Sequence, residues 1–449
     1  MSRMMSVIFV LGVVLSLVIG QFGGASAAPP AQEPVKELTI IWHQWELANI
    51  LQDVVNAYTD KTGVKVTVVA EPPASWGDRV FSEFAAKGTA FDLVVGDSQW
   101  LGQGATQGHY VELTDIFFSE LNGNVWLPAT VAAYAEYPKG GKRYWSVPLN
   151  GDAQGFAYRK DLFEDPNEQA AFKAKYGYAL EVPKTWAAFR DAAEFFTRPE
   201  KNLYGVALHV GKDYDCVTMV YENFLYCWGA AWGDYQTYQV KGILNAPNAV
   251  QALEFFKELT TFMPPGSGNM CWQEANDAFV TGQVAMAVNW FAWFVAMSNP
   301  AMNPLADKTG FASNPSGPYG HRFAAIGGQG VSINNYLPED RKKAALEFIK
   351  WWSSDEAQAI WAEKGGNTCN ANVLNSKEWL EAEPYHPPLL ESLAMTVDFW
   401  AVPPYSEMLT EAQRLLNGYL VAGEGTAQST LDTLAEEHEA ILKKAGLPQ

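Results

Sequence analysis

Three short stretches in the first quarter of the chain set indole rings beside hydrogen-bonding side chains. They are His43-Gln44-Trp45-Glu46, Glu71 with Trp76, and Asp97-Ser98-Gln99-Trp100. Carboxylates and amides accept or donate hydrogen bonds in fixed directions, and aromatic faces cover the axial C–H patches of a sugar ring. This mixture suits a hydroxyl-rich solute. Trp228 and Trp232 lie in the glycine-punctuated WGAAWGD, and Tyr405 closes a Pro-Pro-Tyr loop before a C-terminal helix. These add three further candidates, each also readable as packing, and Tyr405 more readily so.

The same residues also bear on catalysis. Glu46, Asp97 and Asp152 could supply a glycosidase pair, which needs carboxyls ~5–9 Å apart. Against that, the sequence has no G-x-S-x-G, no H-E-x-x-H and no Cys/His nucleophile arrangement, and only six histidines. A binding protein is therefore expected over an enzyme, with no catalytic residue, no metal ligand and no cofactor. No cluster of Lys or Arg falls in the candidate loops, which argues against phosphate, sulfate or dicarboxylate ligands. An uncharged, hydroxyl-rich ligand fits better. A polyamine or other ammonium, held by Trp faces and carboxylates, is the main rival.

The elements that must position these residues alternate strand and helix. Residues 38–42, 64–69 and 91–95 read as strands, and residues 46–60 and 76–87 as amphipathic helices stopped by Gly63 and Gly88. That order makes a parallel sheet with right-handed crossovers, and ligands bind beyond the carboxyl ends of such strands. All three aromatic loops fall there. Residues 144–158, YWSVPLNGDAQGFAY, read as one long extended segment carrying the chain into a second lobe, with Asn150 and Asp152 facing the cleft. Helical patterns dominate afterwards: 185–196, 213–226, 245–263 (with Asn245 as N-cap) and 276–282. Residues 284–289 read as a strand and 299–320 as a Pro/Gly/Asn-rich connection. A helix from Asp340 follows, then one capped by Ser353-Ser354-Asp355-Glu356, then helices over 405–417 and 427–444.

Composition bounds the partners. The formal net charge of −19 argues against nucleic acid or an anionic membrane surface. Arg3, an apolar run over 7–19 and Ala25-Ser26-Ala27 have the form of a cleavable signal peptide, since a membrane span needs ~20 apolar residues. No Cys precedes Cys216, so no lipobox is present, and a free periplasmic protein is expected. Cys216 and Cys227 fall on one predicted helix ~16 Å apart, beyond the ~7 Å that a bridge spans. Either would pair with Cys271, giving Cys227–Cys271 or another bridge, or all four cysteines stay reduced.

Seven segments, in order, resemble one family: ELTIIWHQWE, FDLVVGDSQWL, GHYVELTD, YWSVPLNGDAQGFAYRKDLFED, VPKTWAAFRDAAE, GQVAMAVNWFAW and KKAALEFIKWWSSDEAQAIWAEKGG. The chain is similar to the extracellular solute-binding proteins of sugar ABC importers, the maltose-binding-protein-like group. The resemblance implies an α/β, two-lobed periplasmic binding protein fold (type II), with a cleft between lobes joined by three crossing segments. One lobe would hold residues 35–148 and 316–378; the other, residues 149–315 and 379–449; residues 1–28 would be the signal peptide. It further implies a monomer that delivers a carbohydrate or polyol to permease subunits. Glu46 and Asp97–Gln99 align with first-lobe ligand contacts, and Trp290, preferred over Trp293, stands where the family presents a stacking Trp. Gln329, in Gly327-Gly328-Gln329-Gly330, occupies the place of a frequent Trp in a glycine-rich turn. Asn370 stands near a usual Arg, and these two departures bear on ligand identity.

Overall fold

The computed structural model describes residues 34–447, so the segment read as a signal peptide lies outside the described residues. The opening units form as their periodicity requires. Strand β1 (Glu37–His43) is followed by the helix Glu46–Thr62, which buries Leu47, Leu51, Val54, Val55 and Tyr58. Gly63 ends that helix at φ 75°, a left-handed conformation only glycine adopts without cost, and its N–H reaches the Thr59 carbonyl. Strand β2 (Lys65–Glu71), the helix Pro73–Ala85 and strand β3 (Leu93–Asp97) complete the unit. Both β2 and β3 pair β1 in parallel.

Strand β4 (Val147–Arg159) organises the molecule. Its first half pairs antiparallel with β8 (Ala324–Ile333) from Val147 to Ala153. From Gln154 onward its partners become β6 (Val284–Trp290) and β7 (Thr309–Ser313). Strand β5 (Tyr204–Ala207) adds to β6 in parallel, and the short β9 (Thr396–Val397) adds to β8. One strand thus belongs to two sheet regions, with order β2-β1-β3-β8-β4 on one side and β4-β6-β5 on the other. All residues of β4 from Val147 to Ala157 are buried.

Helices cover the sheet faces. Arg341, on the helix Glu339–Trp352, forks onto the fully buried Asp92 at 2.6 and 2.7 Å just before β3. Asp92 also accepts the Thr39 N–H, so this ion pair locks a helix to two strands. The Trp352 indole N–H donates to the Pro148 carbonyl at 3.1 Å. Helices Tyr405–Asn417 and Ala427–Lys444 pack on Cys216–Cys227 and Pro247–Thr260 respectively. Among the described residues no helix is long and apolar enough to cross a membrane.

Several local expectations are corrected. The stretch 299–320 is not all connection: it contains β7. Gly327–Gly330 is not a turn but the middle of β8, where Gly328 at φ 85° kinks the strand. Pro247 opens its helix with Ala246, not Asn245, at the N-cap; the Asn245 amide oxygen instead accepts the Gly242 N–H. Ser354, rather than Ser353, caps the helix Asp355–Glu363. The strand β8 is buried almost throughout, so it lacks the alternation that marks a half-exposed strand, and the five-residue β7 is too short and glycine-broken to show one.

Candidate ligand-binding cleft

The carboxyl ends of β1, β2 and β3 open onto a cavity of about 230 Å³. From β1 come His43, Gln44 and Trp45; from beyond β2, Pro73 and Trp76; from β3, Asp97, Ser98 and Gln99. The rings form a ladder. The His43 ring centroid lies 4.3 Å from that of Trp45 and 4.9 Å from that of Trp76, and Trp76 lies 4.2 Å from Trp100. His43 has no charged partner there, and burial holds its pKa down at about 3, so it is a neutral ring at physiological pH.

The opposite wall comes from later in the chain. Asp152 on β4 accepts the Ala153 and Ala292 N–H groups at 2.8 and 3.2 Å, so it caps the helix Phe291–Ser298 that carries Trp293. Trp290, the last residue of β6, packs its ring against Gly327: a methyl group there would meet the ring at 2.8 Å. The absent side chain makes the slot for the indole. Gln329 sits between Asp97 and Asn150 in register, and the Asn150 amide donates to it at 3.5 Å.

A third wall was not expected from the sequence. Tyr214, Asp215 and Trp272 line the cavity. Tyr214 adopts φ 48°, an uncommon left-handed conformation for a large residue, and it brings Asp215 inward before the helix Cys216–Cys227 begins. Gln99 Nε2 donates to Asp215 at 3.5 Å, while Asp215 Oδ1 and Gln99 Oε1 have no partner. A disulfide joins Cys216 to Cys271, the neighbours of Asp215 and Trp272; Cys227 and Cys369 are free and buried. Cys216, not Cys227, therefore takes Cys271. The Asp-Tyr-Asp run ahead of an apolar helix, and a Trp next to a pairing Cys, were the signals available.

Burial sets the acid chemistry. It raises Asp97 to about 6 and Asp152 to about 7, in both cases against hydrogen bonds that favour the ionised form. Burial also raises Asp215 well above the ordinary carboxylate range, with the charge of Asp97 adding to it.

Of the sequence candidates, Trp45, Trp76, Asp97, Gln99, Asp152, Trp290 and Gln329 line this cavity. The others do not. Glu46 is exposed in the first helical turn and accepts from Asn49. Trp100, 1% exposed, backs Trp76 instead of facing the cavity, and Asn150 is fully buried behind Gln329. Trp228 packs on Phe255 at 4.7 Å, and Trp232 donates its indole N–H to Glu222 at 2.6 Å; both belong to the core around the helix Cys216–Cys227. Tyr405 is buried close to Asp97 without reaching the cavity wall. Asn370 caps the short helix Ala371–Leu374 and donates to Asp355 at 2.8 Å. Its amide is taken up by backbone N–H groups and the Asp355 carboxylate.

The sequence profile of the bacterial extracellular solute-binding proteins matches residues 44–359. A Deinococcus radiodurans relative, described as a probable ABC transporter-binding protein, is 26% identical over 339 residues, which is 74% of this chain and 75% of that one. Among solved structures, a ribitol-bound ABC transporter solute-binding protein of Agrobacterium radiobacter K84 superposes with a TM-score of 0.77 at 24% identity, covering 91% of this chain and all of that one. A D-mannitol-bound solute-binding protein of Agrobacterium vitis S4 gives 0.74 at 23% identity, over 92% of this chain and all of that one. A maltose-bound T. maritima protein gives 0.77 at 24% identity, covering 90% of this chain and again the whole of that one. The strand that serves two sheet regions, the cleft at the parallel strand ends and the profile match over most of the chain agree: this chain belongs to the bacterial extracellular solute-binding protein family.

Proposed function

We propose that this protein is the exported ligand-capturing component of an ABC importer, and that its ligand is a carbohydrate or polyol of small size. The observation that carries this reading is the cavity itself. Five indole-bearing residues, Trp45, Trp76, Trp272, Trp290 and Trp293, surround carboxylate and amide groups that accept hydrogen bonds. Rings cover C–H faces, and Asp97, Gln99, Asp152, Asp215 and Gln329 meet hydroxyls. The ribitol-, mannitol- and maltose-bound relatives of the same fold support a polyol or a sugar of one or two rings.

The proposed mechanism is hinged closure. Residues 35–148 and 316–378 would form one lobe, with residues 149–315 and 379–449 forming the other. The change of partners along β4 supports a crossing near Ala153. Ligand would settle on the first lobe and favour the closed form through its added contacts with Asp152, Trp290 and Trp272. The closed monomer would then dock on the permease subunits. Catalysis is not part of this reading.

A thermal-shift and calorimetric screen of purified protein against sugars, polyols and polyamines tests it. A ligand at 100 times its dissociation constant stabilises the native state by about 2.7 kcal/mol. Stabilisation by a sugar or polyol supports the proposal; stabilisation by polyamines alone defeats it. Turnover of a glycoside would show an enzyme instead.

A further inference from the structure

We propose that the cleft takes a carbohydrate bearing a protonated amine, an amino sugar or aminated polyol, in preference to a neutral one; this rests on the carbohydrate reading above. The first observation is a charge imbalance. Asp97, Asp152 and Asp215 line the cavity, and no Lys or Arg does among the described residues. Asp92, by contrast, is fully buried and held by both arms of Arg341 at 2.6 and 2.7 Å. The cavity acids have no such counter-ion, and His43 cannot supply one because burial keeps it neutral. A ligand ammonium would fill that role.

The second observation is independent of charge. Gln99 is 2% exposed and Asp215 6% exposed, yet Gln99 Oε1 and Asp215 Oδ1 have no hydrogen-bond partner. Two buried acceptors facing one cavity call for donors, since a buried polar group left unsatisfied keeps its full desolvation penalty. A hydroxyl brings a single donor and an ammonium brings three, with a charge that strengthens each bond. The third observation is the wall. Indole faces attract cations through the ring quadrupole, most strongly where water is excluded. Neutral sugars gain from such rings only by C–H packing.

The groups around the acids set the pH behaviour. Asp97 accepts from the Tyr214 hydroxyl and lies in the field of Tyr405, Tyr110, Asp215 and Asp398. Asp215 also feels Asp398, which is influenced by Lys139, outside the cavity. Burial raises the pKa of all three acids, so each is harder to ionise in the cleft than in water. An ammonium would favour their ionised forms and release protons on binding. Cation affinity must then rise with pH up to the amine's own pKa, and more steeply than the affinity of a neutral ligand, whose hydroxyls favour the ionised acids less strongly.

Calorimetry on the full-length mature protein tests the proposal with matched probes. These are glucosamine, galactosamine and mannosamine, each against its parent hexose and its N-acetyl form, and glucamine against sorbitol, with putrescine and choline as sugarless cations. An amine probe should bind about tenfold or more tightly than its neutral partners at neutral pH, a difference of about 1.4 kcal/mol. It should release protons, seen as a binding heat that varies with the buffer's ionisation enthalpy, and weaken toward pH 5. Asp215→Asn should cut the amine preference to about threefold or less; a melt confirms that the variant folds, and the buffer dependence in wild type stands if it does not. A neutral hexose or polyol binding as well as its amine overturns this inference and leaves the carbohydrate reading intact. Saturable binding by putrescine or choline but by no sugar overturns both. No heat from any amine probe across about pH 5–8 also overturns the inference.

Discussion

Asp215 and Trp272 line the same cavity, and the residues next to each, Cys216 and Cys271, are joined by a disulfide with Cα atoms 5.6 Å apart. The bridge ties the start of the helix Cys216–Cys227 to the start of the helix Trp272–Val280. One wall of the cleft therefore hangs on a covalent link between segments far apart in sequence.

Breaking that link should affect both stability and binding. It closes a loop with a sequence separation of 55, for which the chain-entropy model gives about 4 kcal/mol. A Cys216→Ala/Cys271→Ala double variant should melt at lower temperature and bind ligand more weakly than wild type. Melting curves and titrations with and without reductant measure both effects; unchanged binding after reduction would separate the bridge from the cleft.

Filling the slot under Trp290 should disturb the cavity from behind. A methyl at Gly327 would meet that indole at 2.8 Å, and Gly327 is not among the positive-φ residues. Gly327→Ala should therefore cost about 1–3 kcal/mol through overpacking and push the ring toward the ligand space. Loss of the ligand-induced thermal shift, together with an altered tryptophan emission spectrum, is the expected result.

Asn370 and Trp228, both candidates by sequence, should be neutral for ligand affinity. Asn370→Ala removes an N-cap, costing about 1 kcal/mol, and leaves Asp355 without its 2.8 Å donor. Trp228→Ala empties a pocket against Phe255, costing about 3–5 kcal/mol. Titration of the folded variants should return wild-type affinity once stability is corrected for.

The Asp92–Arg341 pair should behave as a lock. Arg341→Met would strand a fully buried carboxylate, a loss of about 3–5 kcal/mol. Asp92→Asn/Arg341→Met should recover part of it, because the uncompensated charge is gone. Denaturant titration of the two variants separates these outcomes.

Asp152 gives a pH signature in the empty protein. Its folded pKa, about 7, lies above the ordinary value of 3.8. The folded state then binds more protons than the unfolded state between these values, so this group's contribution falls as pH rises through that window and is constant above it. Asp152→Asn keeps an oxygen for the Ala292 N–H and cannot ionise. Relative to wild type, the variant should gain stability from about pH 4 to about pH 7. Melting temperatures of both proteins across that range check the sign.

Local pattern alone yielded much of the frame. The opening strand-helix units, the helices Tyr405–Asn417 and Ala427–Lys444, and the aromatic loops at strand ends are all readable from apolar periodicity and glycine stops. Those features depend on neighbours within a few residues. The same logic failed for β8, which is buried almost throughout and so carries no period, and for the five-residue β7. It also failed for Asp215 and Trp272, which join the cavity through a disulfide and a left-handed turn at Tyr214.

By itself, then, the sequence determined the α/β class, the order of elements and the chemistry the cleft could draw on, because period, capping and residue type are local. The tertiary structure decided which indoles face the cavity and which fill cores, as Trp290 and Trp228 illustrate. It also decided that three acids converge without a cation. Such convergence depends on contacts between residues more than a hundred positions apart, Gln99 with Asp215 among them, and no local pattern encodes those distances.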